Sequence, residues 1–195
     1  VDDAAQVAEA VTCMDAAGAG ESCAVWAMME TPLGVLNAAQ IAATPRMAGF
    51  VMGTNDLAKD LRAGEDKARQ PMLTSLGLCL LAARAHGLAC LDGVYVAFKD
   101  EAGLRAECEQ GRALGFDGKT LIHPAQLAIA NEVFGPSDAA LEEARRFVAA
   151  YEAALAEGQG VAVVDGRIVE NLHVATARRL LAEAEAIAAL EAAAG

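Results

Sequence analysis

Several short apolar runs of this chain stop at residues that can bind a cation or move a proton. Cys23 to Met29 stops at Glu30, and Met47 to Met52 stops at Gly53-Thr54-Asn55-Asp56. Leu88 to Phe98 stops near Lys99 and Asp100, and Gly118 to Ile122 stops at His123. Carboxylates on adjacent strand tips, as Glu30 and Asp56 would be, are the donor set with which Mg²⁺ is bound while it keeps waters for substrate oxygens. Helix capping is the competing reading for each, since Asp is a common N-cap, but Glu30 directly before Thr31-Pro32 is less natural in that role. Lys119 also has two readings: an imine-forming lysine if it is desolvated, or a structural and ligand-orienting cation. With no neighbouring acid evident in the sequence, the second is favoured. His123 reads as a ligand or proton donor, or as a strand-end histidine tied to backbone. His86 and His173, in helical surroundings, read as surface or capping residues.

The elements that must position these residues follow from hydrophobic pattern and punctuation. The runs above read as strands apolar on both sides, the mark of a buried parallel sheet. Between them lie helical stretches from Val35 to Ala43, from Met72 to His86 with Gly87 as its stop, and from Asp100 to Leu114 with Gly115 as its stop. Pro124 suits the first turn of a helix reaching Phe134. Strand and helix alternate at roughly 25 to 40 residues, which implies parallel strands joined by right-handed crossovers, as in a barrel. No G-x-G-x-x-G follows a strand, so dinucleotide binding has little support.

The tail differs. Ser137 caps a helix striped with Leu141, Ala144, Val148, Tyr151 and Leu155, which Gly158 closes. Two short apolar strands then flank Asp165-Gly166, the signal of a two-residue hairpin turn. Such a hairpin is marginal alone, so it must dock on something. An Ala-rich helix begins near Leu172. The predicted organisation is a partial (β/α) barrel carrying the metal site over residues 1–158, and a hairpin-and-helix arm over 159–195.

Composition excludes several classes of function. With 15 basic and 27 acidic side chains and a net charge of −12, the average field repels nucleic acid and anionic membranes. No run of eighteen apolar residues occurs, and Val1-Asp2-Asp3 lacks a signal-peptide pattern, so a soluble cytoplasmic protein is expected. The 5 cysteines form no C-x-x-C pair and sit among apolar neighbours, as small buried residues do. H-E-x-x-H and the serine elbow are both missing, against zincins and α/β-hydrolases.

Taken together, Glu30-Thr-Pro-Leu-Gly-Val-Leu-Asn-Ala, Gly53-Thr-Asn-Asp56-Leu-Ala-Lys-Asp-Leu, Gly115-Phe-Asp-Gly-Lys119 and Leu121-Ile-His123-Pro-Ala-Gln resemble the citrate lyase beta subunit family of the HpcH/HpaI aldolase superfamily. Malyl-CoA and citramalyl-CoA lyases belong to that family. The resemblance runs in order through Asp165-Gly166 and the final helix. It implies a TIM (β/α)₈-type barrel of which about the C-terminal half is represented, the family's first strands being absent. It implies Mg²⁺ on Glu30 and Asp56, with backbone amides of Gly53, Thr54 and Asn55 holding a substrate carboxylate. A carboxylate after the hairpin, here Glu170 where aspartate is commoner, is implied as the acid/base offered to a neighbouring subunit; Leu172 stands where proline is common. The implied reaction is cleavage or formation of a 3-hydroxyacyl-CoA thioester, giving an acyl-CoA and an oxo acid, in a homo-oligomer such as a trimer or hexamer. The rivals are a metal-dependent pyruvate aldolase and a noncatalytic subunit or scaffold.

Overall fold

Trp26 and Met28 are 47% and 41% exposed, whereas Ala27 and Met29 between and beyond them are fully buried. That alternation marks a strand with one face against helices and the other open. The computed structural model describes residues 1–64, 66 and 68–194. These fall into two compact units, Val1–Phe134 and Gly135–Gly195.

The first unit runs α1 (Ala4–Ala16), β1 (Val25–Met29), α2 (Pro32–Leu36), α3 (Ala38–Ala42), β2 (Met47–Met52) and α4 (Thr54–Leu61). It continues with a 3₁₀ turn Gln70–Met72, α5 (Leu73–Ala85), β3 (Ala89–Asp92), α6 (Glu101–Leu114), β4 (Gly118–Lys119), a 3₁₀ turn Pro124–Gln126 and α7 (Leu127–Phe134). The strands pair in parallel in the order β1-β2-β3-β4, with Met29 beside Met52, Val51 beside Leu91 and Asp92 beside Lys119. Each strand lies next to its predecessor. That is the order of a (β/α)₈ barrel wall, present as an open arc, and not the reversing order of a doubly wound sheet. Ile41, Phe50, Met52, Leu57, Leu76 and Cys79 fill the layer between this sheet and the helices.

The structure departs from the sequence reading where side chains redirect the backbone. The single helix expected from Val35 to Ala43 is two, because Asn37 closes α2 and opens α3 while its Nδ2 donates to the Asp2 carbonyl at 2.8 Å. The third strand ends at Asp92, six residues early, since the Asp92 carboxylate turns back onto the Gly93 amide at 2.8 Å. The fourth strand has two residues, after which the Thr120 amide and hydroxyl both bond the Asp92 carbonyl. Helix α1 buries only Val7, so its sequence carries little amphipathic signal.

The second unit comprises α8 (Asp138–Ala156), β5 (Ala162–Val164), β6 (Arg167–Val169) and α9 (Asn171–Ala194). Ser137 caps α8, and Asp165 and Gly166 both take positive φ, as a two-residue hairpin turn of the I′ kind requires. One hairpin face is buried through Ala162 and Val169, within a cluster that includes Phe147, Tyr151, Val174 and Ala177. The other face, the cross-strand pair Val163 and Ile168, stays exposed. Helix α8 groups with the hairpin and α9, so the compact units divide after Phe134, ahead of α8, whereas the sequence reading drew its boundary after residue 158. The reason is that the buried stripe Ala144, Phe147, Tyr151 and Ala154 packs with residues of the hairpin and α9.

Candidate functional site

Glu30 is the first residue beyond β1, and the cap of the following helix is its neighbour: Thr31 Oγ1 accepts from the Gly34 amide at 3.0 Å, with Pro32 at the first helical position. Capping therefore leaves the Glu30 carboxylate uncommitted. It lies over the tip of β2, where a Cβ added to Gly53 would meet both Glu30 Cβ and Oε2. Gly53 is small because the glutamate occupies its side-chain space. The Gly53 amide donates to the Met29 carbonyl at 3.0 Å, which fixes the two strand tips side by side. Of the three residues expected to hold a carboxylate by their amides, Gly53 has its N–H engaged in this way. Thr54 and Asn55 supply the first amides of α4, which have no intrahelical acceptor.

Asp56 sits in the first turn of α4, a favourable place for negative charge near the helix N-terminus. Its carboxylate is 59% exposed and accepts from Lys59 Nζ at 3.1 Å, a contact that raises the lysine's pKa above its usual value. It caps nothing: the N-cap is Gly53, which has no side chain to offer. Two hard oxygen donors on adjacent strand ends, neither bound to a helix cap, fit Mg²⁺ that retains waters. No cluster of three or more His, Cys, Asp or Glu side chains suited to a metal occurs among the described residues.

The other residues singled out in the sequence make local contacts. Asp100 caps α6 by accepting from the Gly103 amide at 2.9 Å, and Tyr95 donates its hydroxyl to the same carboxylate at 2.8 Å, which raises the tyrosine's pKa. His123 accepts from the Ala125 amide through Nδ1 at 3.1 Å and stacks on Phe98 with ring centroids 4.7 Å apart. Glu170 lies in the second unit between β6 and α9; its amide donates to His173 Nδ1 at 3.0 Å, and its carbonyl accepts from the first turn of α9. Burial pushes the Cys79 and Cys90 thiols up to about 12 and raises Cys108, so none of these three is a ready thiolate, whereas Cys13 and Cys23, expected to be buried like the others, are exposed.

The acid that the sequence did not reveal beside Lys119 is present twice. Lys119 Nζ, with no exposed surface, lies 2.5 Å from Glu107 Oε1 and 3.4 Å from Asp92 Oδ2. Arg69 Nη1 donates to both Asp92 oxygens at 2.8 and 2.9 Å. A Cβ on Gly111 would stand 2.8 Å from Asp92 Oδ2, so that glycine lets α6 close over the cluster. Two buried cations thus balance two carboxylates drawn from β3, β4, α6 and the segment before α5. An amine with no exposed surface, enclosed by two carboxylates, is not presented to a substrate carbonyl. Borohydride reduction in the presence of an oxo acid is therefore expected to leave no adduct on Lys119; a trapped peptide by mass spectrometry would reverse that role.

A cleft of about 510 Å³ opens between α4, α6 and the segment after β3. Thr54, Asn55, Arg69, Tyr95 and Glu107 contribute its polar lining, and Ala58, Met72, Val94 and Ala106 are among its apolar residues.

The strand order is that of an open barrel arc, and residues 1–124 match the HpcH/HpaI aldolase/citrate lyase family. The chain belongs to that family. It is 70% identical over 165 residues to a (3S)-malyl-CoA thioesterase of Cereibacter sphaeroides, covering 85% of this chain and 58% of that protein. It is 34% identical over 180 residues to an L-malyl-CoA/beta-methylmalyl-CoA lyase of the same organism, covering 83% of this chain and 57% of the relative. Among solved structures it is similar to protein CitE from Mycobacterium tuberculosis in complex with magnesium, acetoacetate and coenzyme A. There the TM-score is 0.79 at 30% identity, over 95% of this chain and 66% of that one. The chain thus spans about 58% of the length of the thioesterase it matches. No helix among the described residues is long and apolar enough to cross a membrane.

Proposed function

We propose that this chain is the metal-binding part of an enzyme acting on a 3-hydroxyacyl-CoA thioester of the malyl-CoA kind, with Mg²⁺ held by Glu30 and Asp56. The observation that carries the reading is the uncapped carboxylate pair on adjacent strand tips, braced by Gly53. When bound, the cation supplies positive charge at the hydroxyl and carboxylate oxygens of the acid end of the substrate. The amides of Thr54 and Asn55 orient that carboxylate at the N-terminus of α4. Glu170 moves the proton, from a neighbouring copy in a homo-oligomer.

Two bonds of such a substrate are open to this arrangement. Hydrolysis breaks the C–S bond: Glu170 takes a proton from water, the oxygen adds to the thioester carbonyl, and the thiolate leaves with a proton. Its support is the 70% identity to a malyl-CoA thioesterase. Cleavage of the C–C bond instead turns the hydroxyl into the carbonyl of an oxo acid, and Glu170 returns a proton to the thioester enolate. The motifs around Glu30 and Asp56 and the 34% identity to a malyl-CoA lyase support it. The test is to supply (3S)-malyl-CoA and Mg²⁺ to the intact protein and follow both products. Hydrolysis is expected to release free thiol and malate. Acetyl-CoA and glyoxylate without free thiol would move the assignment to the lyase, and no turnover across a panel of 3-hydroxyacyl-CoA esters would sink the reading.

A further inference from the structure

Strand β6 ends at Val169 and α9 begins at Asn171, so Glu170 alone makes the junction between them. The chain on both sides of it is pinned: Val169 and Val174 are buried in the apolar cluster of the second unit. Glu170 itself is exposed, and its carboxylate makes no hydrogen bond or ion pair among the described residues.

Both backbone groups of the junction are committed, in contrast to its side chain. The Glu170 carbonyl accepts from the amides of His173 at 2.9 Å and Val174 at 3.2 Å, which makes Glu170 the N-cap residue of α9. Its own amide donates to His173 Nδ1 at 3.0 Å. That is the returning half of a capping box, in which the third helical residue reaches back to the N-cap amide. Glutamate or glutamine supplies that acceptor in the usual box, and here an imidazole nitrogen does, with the proton of the neutral ring left on Nε2. The forward half is missing, because glutamate is not one of the short side chains that close onto the first turn of their own helix. His173 thus satisfies the junction amide, and the Glu170 carboxylate stays outside the cap.

We infer that His173 is a positioning residue for Glu170: by holding the junction amide, its Nδ1 sets the direction in which the Glu170 carboxylate is offered to the substrate. The inference rests on the proton-moving role proposed above for Glu170, whereas the hydrogen bond itself is independent of that role. A base carried on a single junction residue turns with that residue's backbone, and small misplacements of a reacting group are costly in rate.

His173→Ala removes the acceptor, and His173→Gln supplies another, since a glutamine at the third helical position reaches the same amide. In the intact protein His173→Ala is expected to lower kcat on malyl-CoA about tenfold or more, with KM and calorimetric Mg²⁺ affinity within about twofold of the parent, the pattern of a base turned away from its proton. His173→Gln is expected to return most of that loss. Amide hydrogen exchange reads the bond without turnover: the Glu170 amide should be protected in the parent and in His173→Gln, and should exchange about tenfold faster in His173→Ala. Circular dichroism establishes folding. If His173→Ala does not fold, His173→Met, which keeps bulk and helix propensity but offers only a weak sulfur acceptor, is read in its place. An unprotected Glu170 amide in the parent, or a loss of kcat that His173→Gln does not recover, overturns the inference. Parent-like kcat in the folded alanine or methionine variant beside an inactive Glu170→Gln would overturn it while the role of Glu170 stands. Full turnover in Glu170→Gln, or none in the parent, would overturn the proposed role of Glu170 and the inference with it, and a protected amide would then mark a helix cap alone.

Discussion

Lys119→Met is expected to destabilise the first unit by about 3–5 kcal/mol, the size associated with breaking a buried ion pair by removing one partner. The substitution matches the length of the side chain, so little packing volume is lost. What it removes is the charge that faces Glu107 at 2.5 Å and Asp92 at 3.4 Å from a position with no exposed surface. Asp92 keeps Arg69, but Glu107 is left with Arg69 Nη1 at 3.8 Å as its nearest cation among the described residues. Thermal unfolding should therefore move down by roughly 6 °C or more, taking about 2–4 °C per kcal/mol for a protein of this size. Adding Glu107→Gln to Lys119→Met removes the stranded carboxylate and should recover part of the loss. A shift of less than about 2 °C in the single variant would mean that water reaches the cluster and that its charges do not depend on one another.

How far the sequence discloses this architecture depends on the range of the interactions involved. Apolar runs with polar tips are local, so β1, β2 and the carboxylates following them could be read directly, as could the Asp165-Gly166 turn and the caps Asp100 and Ser137. The ends of β3 and β4 could not, because Asp92 stops its strand by bonding its own next amide and then anchors Thr120 from the neighbouring strand. Asp92 follows an apolar run as Glu30 does, and that was the signal available; the apolar residues that resume after it and run on to Phe98 concealed the true strand tip. Arg69 and Glu107 carry no such mark. They come from a loop and from one face of a helix, and meet Lys119 only once the β3 and β4 crossovers are folded. The exposure of Trp26 and Met28 likewise has no local signature: a continuous apolar run looks the same whether its second face meets helices or an open barrel arc.

The pair Glu30→Gln and Asp56→Asn provides the strongest expected effect on chemistry. Each replacement keeps shape and removes one negative charge from a two-carboxylate site, so Mg²⁺ affinity and turnover should each fall roughly 100-fold or more. Stability should hardly change for Asp56→Asn, within about 0.5 kcal/mol, since the side chain is 59% exposed and its contact with Lys59 is an exposed pair of little worth. Chelation of the parent should stop turnover, and added Mg²⁺ should restore it. Gly53→Ala makes the argument geometric: a methyl there would collide with Glu30 and displace its carboxylate without altering any charge. The alanine variant should therefore lose Mg²⁺ affinity in a calorimetric titration even though both ligands remain. Undiminished Mg²⁺ binding in Glu30→Gln and Asp56→Asn would place the cation elsewhere. Undiminished binding in Gly53→Ala alone would keep the ligands and remove only the role given to the strand-tip contact.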